Sequence, residues 1–135
     1  FCVGTPASGL EDYIEKTVEV FSTLDQILEP NVRVEEVLSV AKNFFEEAGI
    51  WEDRWWIGGY ELGIAFAPDW DGHFTYDSET DPGNDTLEPG MVVNFESNFF
   101  LPDGMGCSGI INTMEVSQSS VSWLSELPLG LMVVD

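Results

Sequence analysis

Residues 87–97 read LEPGMVVNFES, and they carry a carboxylate, Glu96, just beyond the apolar run of Met91, Val92, Val93 and Phe95. A buried carboxylate is costly unless a cation, a hydrogen-bond donor or a raised pKa compensates it. Glu96 is therefore either a solvent-facing residue or part of a site. His73, the one histidine, stands near Asp69, Asp71 and Asp77. An imidazole among carboxylates can serve as general base or metal ligand; the simpler reading is a solvated loop histidine. Asp77, Glu79, Asp81 and Asp85 offer hard oxygen ligands but lack the D-x-D-x-D-G-x5-E spacing of a calcium loop, so they read as solvated. Trp51, Trp55, Trp56 and Trp70 suit a pocket or interface lining as well as a core. The glycines of GGYELG, residues 58–63, lack a strand–GxGxxG–helix setting, and a tight turn or close backbone approach explains them better. No phosphate loop, zinc finger or nucleophile elbow occurs.

These residues need a scaffold. Residues 9–29 place Leu10, Ile14, Val18, Phe21, Leu24 and Leu28 at helical spacing among acids, with Ser8 as N-cap and Pro30 as stop. Residues 33–48 repeat the pattern through Val34, Val37, Leu38, Ala41, Phe44 and Phe45, and Gly49 follows as a helix-end residue. Two amphipathic helices joined by a short turn form an αα-hairpin. The character then changes. Strand-like pieces are expected near Trp56 to Gly59 and Gly63 to Phe66, followed by an exposed acidic loop over residues 71–86. Further strands are expected at 91–97, 110–117 and 121–124, with turns at Pro102-Asp103-Gly104 and Ser119-Ser120. Helices first and strands after predict an α+β fold.

The chain has 135 residues, the size of one domain, and 44% hydrophobic residues, enough for a core. Its 25 acidic residues against four basic ones give a net charge of −21, which argues against nucleic acid or an anionic membrane as partner. Such an excess suits a salty setting or a basic partner surface. No apolar run reaches the roughly 18 residues of a membrane span, and FCVGTPASG lacks the basic and apolar regions of a signal peptide. Cys2 and Cys107 make no disulfide framework; reduced, buried thiols in a cytoplasmic protein are expected. The opening Phe1-Cys2-Val3 reads as the middle of a strand cut from something longer.

Several pieces occur in a known order: VGTP, two amphipathic helices, GGYELGIAFAPDW, LEPGMVVNFES, and a hairpin ending WLSELP. This order resembles the second half of the catalytic domain of the creatinase, aminopeptidase P and methionine aminopeptidase family, the pita-bread fold, over essentially the whole chain. GY-x-x-G followed by PDW resembles a narrower branch of ectoine hydrolase-like and dimethylsulfoniopropionate lyase-like proteins. The resemblance implies two helices packed on a curved antiparallel sheet, in a single partial domain spanning 1–135. It implies a hydrolase cleaving a C–N bond in a small amide-like or amino-acid-derived substrate, incomplete as an isolated chain, or else an inactive binding or interaction domain. In metal-dependent members this half supplies three ligands. Glu96 matches the middle one; the ligand histidine falls on Tyr60, the last glutamate on Ile111, and a further family histidine on Ala67. No cofactor is thus expected for the isolated chain, and a divalent metal pair only in metal-dependent relatives. The implied catalytic residues are Glu96, Tyr60 and His73, with Trp70, Asp69 and Phe66 binding substrate. The implied partners are a small-molecule substrate and the missing N-terminal half or a second copy.

Overall fold

The computed structural model describes residues 1–63, 72 and 74–134. A short strand β1 (Cys2–Val3) leads to helices α1 (Leu10–Leu24) and α2 (Val34–Glu47) and a 3-10 turn, Trp51–Asp53; a second 3-10 turn, Pro102–Gly104, lies at the turn expected there. Strands β2 (Arg54–Tyr60), β3 (Thr75–Asp77), β4 (Val92–Phe100), β5 (Cys107–Val116), β6 (Val121–Trp123) and β7 (Val133–Val134) follow. Among the described residues, five strands form an antiparallel sheet in the order β3-β2-β4-β5-β6, and β1 pairs with β7 in parallel. The fold is α+β, with both helices packed on one face of the sheet.

The burial pattern of β4 explains that packing. Its side chains alternate faces: Val93, Phe95, Ser97 and Phe99 turn to the helices, and Asn94, Glu96 and Asn98 turn away. Phe95 meets Phe21 of α1 edge-on at 5.5 Å between ring centroids, and Phe99 meets Phe45 of α2 at 4.8 Å. Ser97 donates from its buried hydroxyl to the Thr17 carbonyl oxygen at 2.8 Å, tying α1 to the strand. Aromatic pairs of this kind add to area burial, and a satisfied hydroxyl removes the cost of burying Ser97.

Several boundaries differ from those expected. Helix α1 starts after Gly9, which lies at φ 83° and makes no side-chain cap, so Ser8 is not the N-cap. It ends at Leu24, short of residue 29, because the next bonds tighten: Gln26 donates to Thr23 and Ile27 to Leu24. Helix α2 ends as expected, with Gly49 at φ 73°. The expected loop over 71–86 contains β3, and its Tyr76 is 1% exposed. Strand β4 runs on to Phe100, beyond residue 97, and β5 begins at Cys107, before residue 110. Both cysteines are free thiols, but Cys107 is exposed and Cys2 half-buried, not buried, since each stands at the end of a strand. Among the described residues, no helix is long and apolar enough to cross a membrane. The strand expected near Gly63 to Phe66 lies largely outside the described residues.

Candidate active-site cleft

The face of the sheet turned away from the helices carries the site. Directly paired residues share a face, and the register sets Gly58 of β2 and Ile111 of β5 on either side of Glu96. Tyr60 follows Gly58 two residues along the same face, opposite Thr75 of β3. A cleft of about 610 Å³ opens here. Glu96, Tyr60, Thr75 and Asn98 give it polar lining; Trp55, Trp56 and Ile111 give it apolar lining. Trp55 and Ile111 are 62% and 54% exposed.

The two flanking asparagines hold Glu96. Asn94 donates from Nδ2 to Oε1 at 2.8 Å, and Asn98 donates from Nδ2 to Oε2 at 3.0 Å. Both are buried, at 2% and 4% exposure, and Glu96 itself is half-buried. The spacing i−2, i, i+2 puts all three side chains on one face of an extended strand. Gly109, paired with Asn98, leaves room for this amide: a Cβ there would come within 2.5 Å of its Oδ1.

Asn94 also interrupts the ladder between β2 and β4. Its Oδ1 accepts the Tyr60 backbone N–H at 2.6 Å, and its backbone carbonyl accepts the Tyr76 hydroxyl at 2.8 Å. Tyr76 pairs with Gly59, on the helix side of the sheet. A Cβ on Gly59 would meet the Tyr76 hydroxyl at 2.6 Å and would collide with the Asn94 carbonyl oxygen. Glycine at 59 is thus what lets a phenol from β3 reach across β2 to β4. The close backbone approach expected of GGYELG has this physical form.

The Tyr60 phenol is pushed above the ordinary tyrosine value, first by burial, then by the charge and hydrogen-bonding pull of nearby Glu96, with Asn94 opposing. Tyr60 is therefore a neutral phenol at physiological pH, a donor to Glu96 and not a base. Burial and then the Glu96 charge also push Tyr76 far up.

Of the expected site residues, the fold brings Glu96 and Tyr60 together. His73, Trp70, Asp69 and Phe66 lie outside the described residues, as does Ala67. The tryptophans divide: Trp55 and Trp56 line the cleft, whereas Trp51 is core, with the Arg54 guanidinium 4.0 Å from its ring centroid. Asp77 accepts the Glu79 and Thr80 N–H groups, and Asp81 accepts that of Gly83, so these acids build turns. Asn94, Asn98 and Thr75 were not anticipated. The polar alternation N-F-E-S-N along β4 was the available signal for the asparagines.

Metallopeptidase family M24 matches residues 1–118, and the chain belongs to this family. X-Pro aminopeptidase from Thermotoga maritima has 18% identity and a TM-score of 0.78, covering 98% of this chain and 35% of that one. Prolidase from Thermococcus sibiricus has 22% identity and a TM-score of 0.77, covering 98% and 34%. Methionine aminopeptidase from Rickettsia prowazekii has 12% identity and a TM-score of 0.63, covering 89% and 54%. These likenesses establish the pita-bread fold. The chain spans about a third of the length of the first two. No curated protein matches it.

A divalent metal pair needs carboxylates or imidazoles converging from several strands. Here Glu96 has glycine on one side and isoleucine on the other, and neutral donors already occupy its oxygens. Among the described residues, no three His, Cys, Asp or Glu side chains gather as a metal site. The described residues do not fit a metal pair.

Proposed function

We propose that the chain is part of a cytoplasmic pita-bread hydrolase that cleaves a C–N bond in a small amide-like or amino-acid-derived substrate. The other half of the domain or a second copy completes its cleft. The observation that carries this reading is the Glu96–Tyr60 pair, a carboxylate and a neutral phenol fixed side by side in a cleft of small-molecule size. Hydrolysis adds hydroxide to carbon and a proton to the leaving nitrogen. Glu96 is the acceptor that orients substrate or takes the proton of an attacking water; Tyr60 is the donor. The GY-x-x-G and PDW segments support placement in the ectoine hydrolase-like branch, and with it His73 as a further catalytic residue and Trp70, Asp69 and Phe66 as substrate-binding residues.

The test is turnover of ectoine-like cyclic amidines and of N-acyl amino acids by the purified protein. Glu96→Gln is expected to lower kcat at least about a hundredfold, the usual worth of a positioned acid or base. Tyr60→Phe should lower kcat with little change in fold. Turnover that Glu96→Gln leaves intact would remove Glu96 from the chemistry.

The exposed Ile111 opposite Glu96 favours a second reading, a non-catalytic domain whose cleft binds a ligand or partner without cleaving it. Absence of turnover together with retained binding would select it. Two tightly bound divalent ions per chain would overturn both readings in favour of a metallopeptidase.

A further inference from the structure

The geometry points to the cleft as a receptor for a small alkylated ammonium ion, held by the charge of Glu96 and by aromatic walls. This inference rests on the small-molecule reading of the cleft and names the ligand's chemistry.

Charge is the first argument. Glu96 is half-buried; its described hydrogen-bond donors, Asn94 and Asn98, and its cleft neighbour Tyr60 are all neutral. None of the chain's four lysines and arginines answers its charge. Lys16 pairs with Asp12, Arg33 with Glu35, Lys42 with Glu46 and Arg54 with Glu79. A carboxylate in a cleft with low-dielectric walls and no counter-ion among the described residues concentrates cations there, and the net charge of −21 adds to that field.

Hydrogen-bond capacity then selects the kind of cation. A carboxylate has about four acceptor positions. Asn94 and Asn98 occupy one on each oxygen, and the Tyr60 phenol stands beside Glu96 in the same cleft. A guanidinium that binds in a fork would take both positions that remain, leaving none for the Tyr60 phenol. A hard metal ion competes for the same positions and needs more ligands than Glu96 alone. An alkylated ammonium needs none: its charge is spread over methyl and methylene groups that pack on apolar and aromatic surface. Trp55, Trp56, Tyr60 and Ile111 supply that surface, and aromatic rings favour such ions through their negative faces.

Calorimetric titration of the full chain with choline and with its uncharged isostere dimethylbutanol tests the inference. Choline should bind once per chain, at least about tenfold tighter than dimethylbutanol. Glu96→Gln should weaken choline about tenfold and leave dimethylbutanol unchanged, and Trp56→Leu should weaken choline about tenfold. Ile111→Lys sets a tethered ammonium directly opposite Glu96 on an exposed position and should abolish choline binding while the fold melts as before. It keeps the test decisive if Glu96→Gln fails to fold. Equal affinity for the two probes in the parent chain, absence of choline binding, or choline binding that survives Ile111→Lys would overturn it. Choline bound without C–N hydrolysis of any substrate removes the hydrolase and leaves this inference standing. Turnover of neutral amides with no preference for cationic ones does the reverse.

Discussion

Asn94 serves three neighbours at once. Its amide donates to Glu96, its side-chain oxygen takes the Tyr60 N–H, and its carbonyl takes the Tyr76 hydroxyl. An asparagine supplies a donor and an acceptor on separate atoms of one short side chain, here 2% exposed. Asn94→Leu keeps the size but strands the Tyr60 N–H and removes a donor from Glu96. It should cost about 1–3 kcal/mol, the penalty of an unsatisfied buried group, measured as a lower urea midpoint at unchanged slope. Asn94→Asp keeps the acceptor for Tyr60 but sets a second carboxylate against Glu96. Its penalty should shrink as pH falls through the carboxylate range, because protonating either acid removes the repulsion. A penalty independent of pH would mean the two side chains do not face each other. The sequence made Glu96 conspicuous as an acid after an apolar run. Asn94 and Asn98 were legible only through their period-two spacing around Glu96, which assigns them to its face once the segment is known to be a strand.

At the scale of elements, the site depends on three strands meeting at Gly59. Gly59→Ala puts a methyl group against the Asn94 carbonyl oxygen and the Tyr76 hydroxyl. Neither can retreat, since each is the other's hydrogen-bond partner. A loss of about 1–3 kcal/mol is expected, typical of overpacking. Tyr76→Phe should cost about 1–3 kcal/mol by leaving the carbonyl unpaired. The double variant should lose less than the sum, because removing the hydroxyl relieves one of the three close approaches and unties the ring from Asn94, so that it can give way. Strict additivity in urea unfolding would refute the geometry. The helices were legible because their apolar spacing repeats over several turns and Gly49 closes the second. Strand β4 was legible for its β-branched and aromatic run. Strand β3 was not, because three residues in an acidic stretch are too few to show a period. Its one core residue, Tyr76, is buried by a partner 18 positions away. Ser8 failed as a cap for a similar reason: Gly9 at φ 83° starts the helix one residue later, a backbone choice that side-chain spacing does not reveal.

At the scale of the whole molecule, charge and phenol burial combine into one expectation. All three tyrosines titrate above the ordinary value of 10.0, with burial the first cause in each; charge follows, from Asp53 at Tyr13 and from Glu96 at Tyr60 and Tyr76. A raised folded-state pKa means the folded chain keeps protons that the unfolded chain releases. By linkage, stability is unaffected by these groups below pH 10.0 and falls as pH rises above it. The unfolding midpoint in urea should therefore drop steeply beyond pH 10, and tyrosinate absorbance should appear with unfolding, not before it. Salt separates the two causes. At neutral pH the chain carries −21, and its four cations are already paired locally, so the remaining repulsion is long-range. Raising ionic strength from about 0.01 M to 1 M shortens the screening length from roughly 30 Å to 3 Å and should raise the midpoint at neutral pH. The alkaline loss should persist in high salt, since desolvation of the phenols comes first and screening does not touch it. If high salt erased the alkaline loss, repulsion among the acids would be its cause, and the buried phenols would have no part in it.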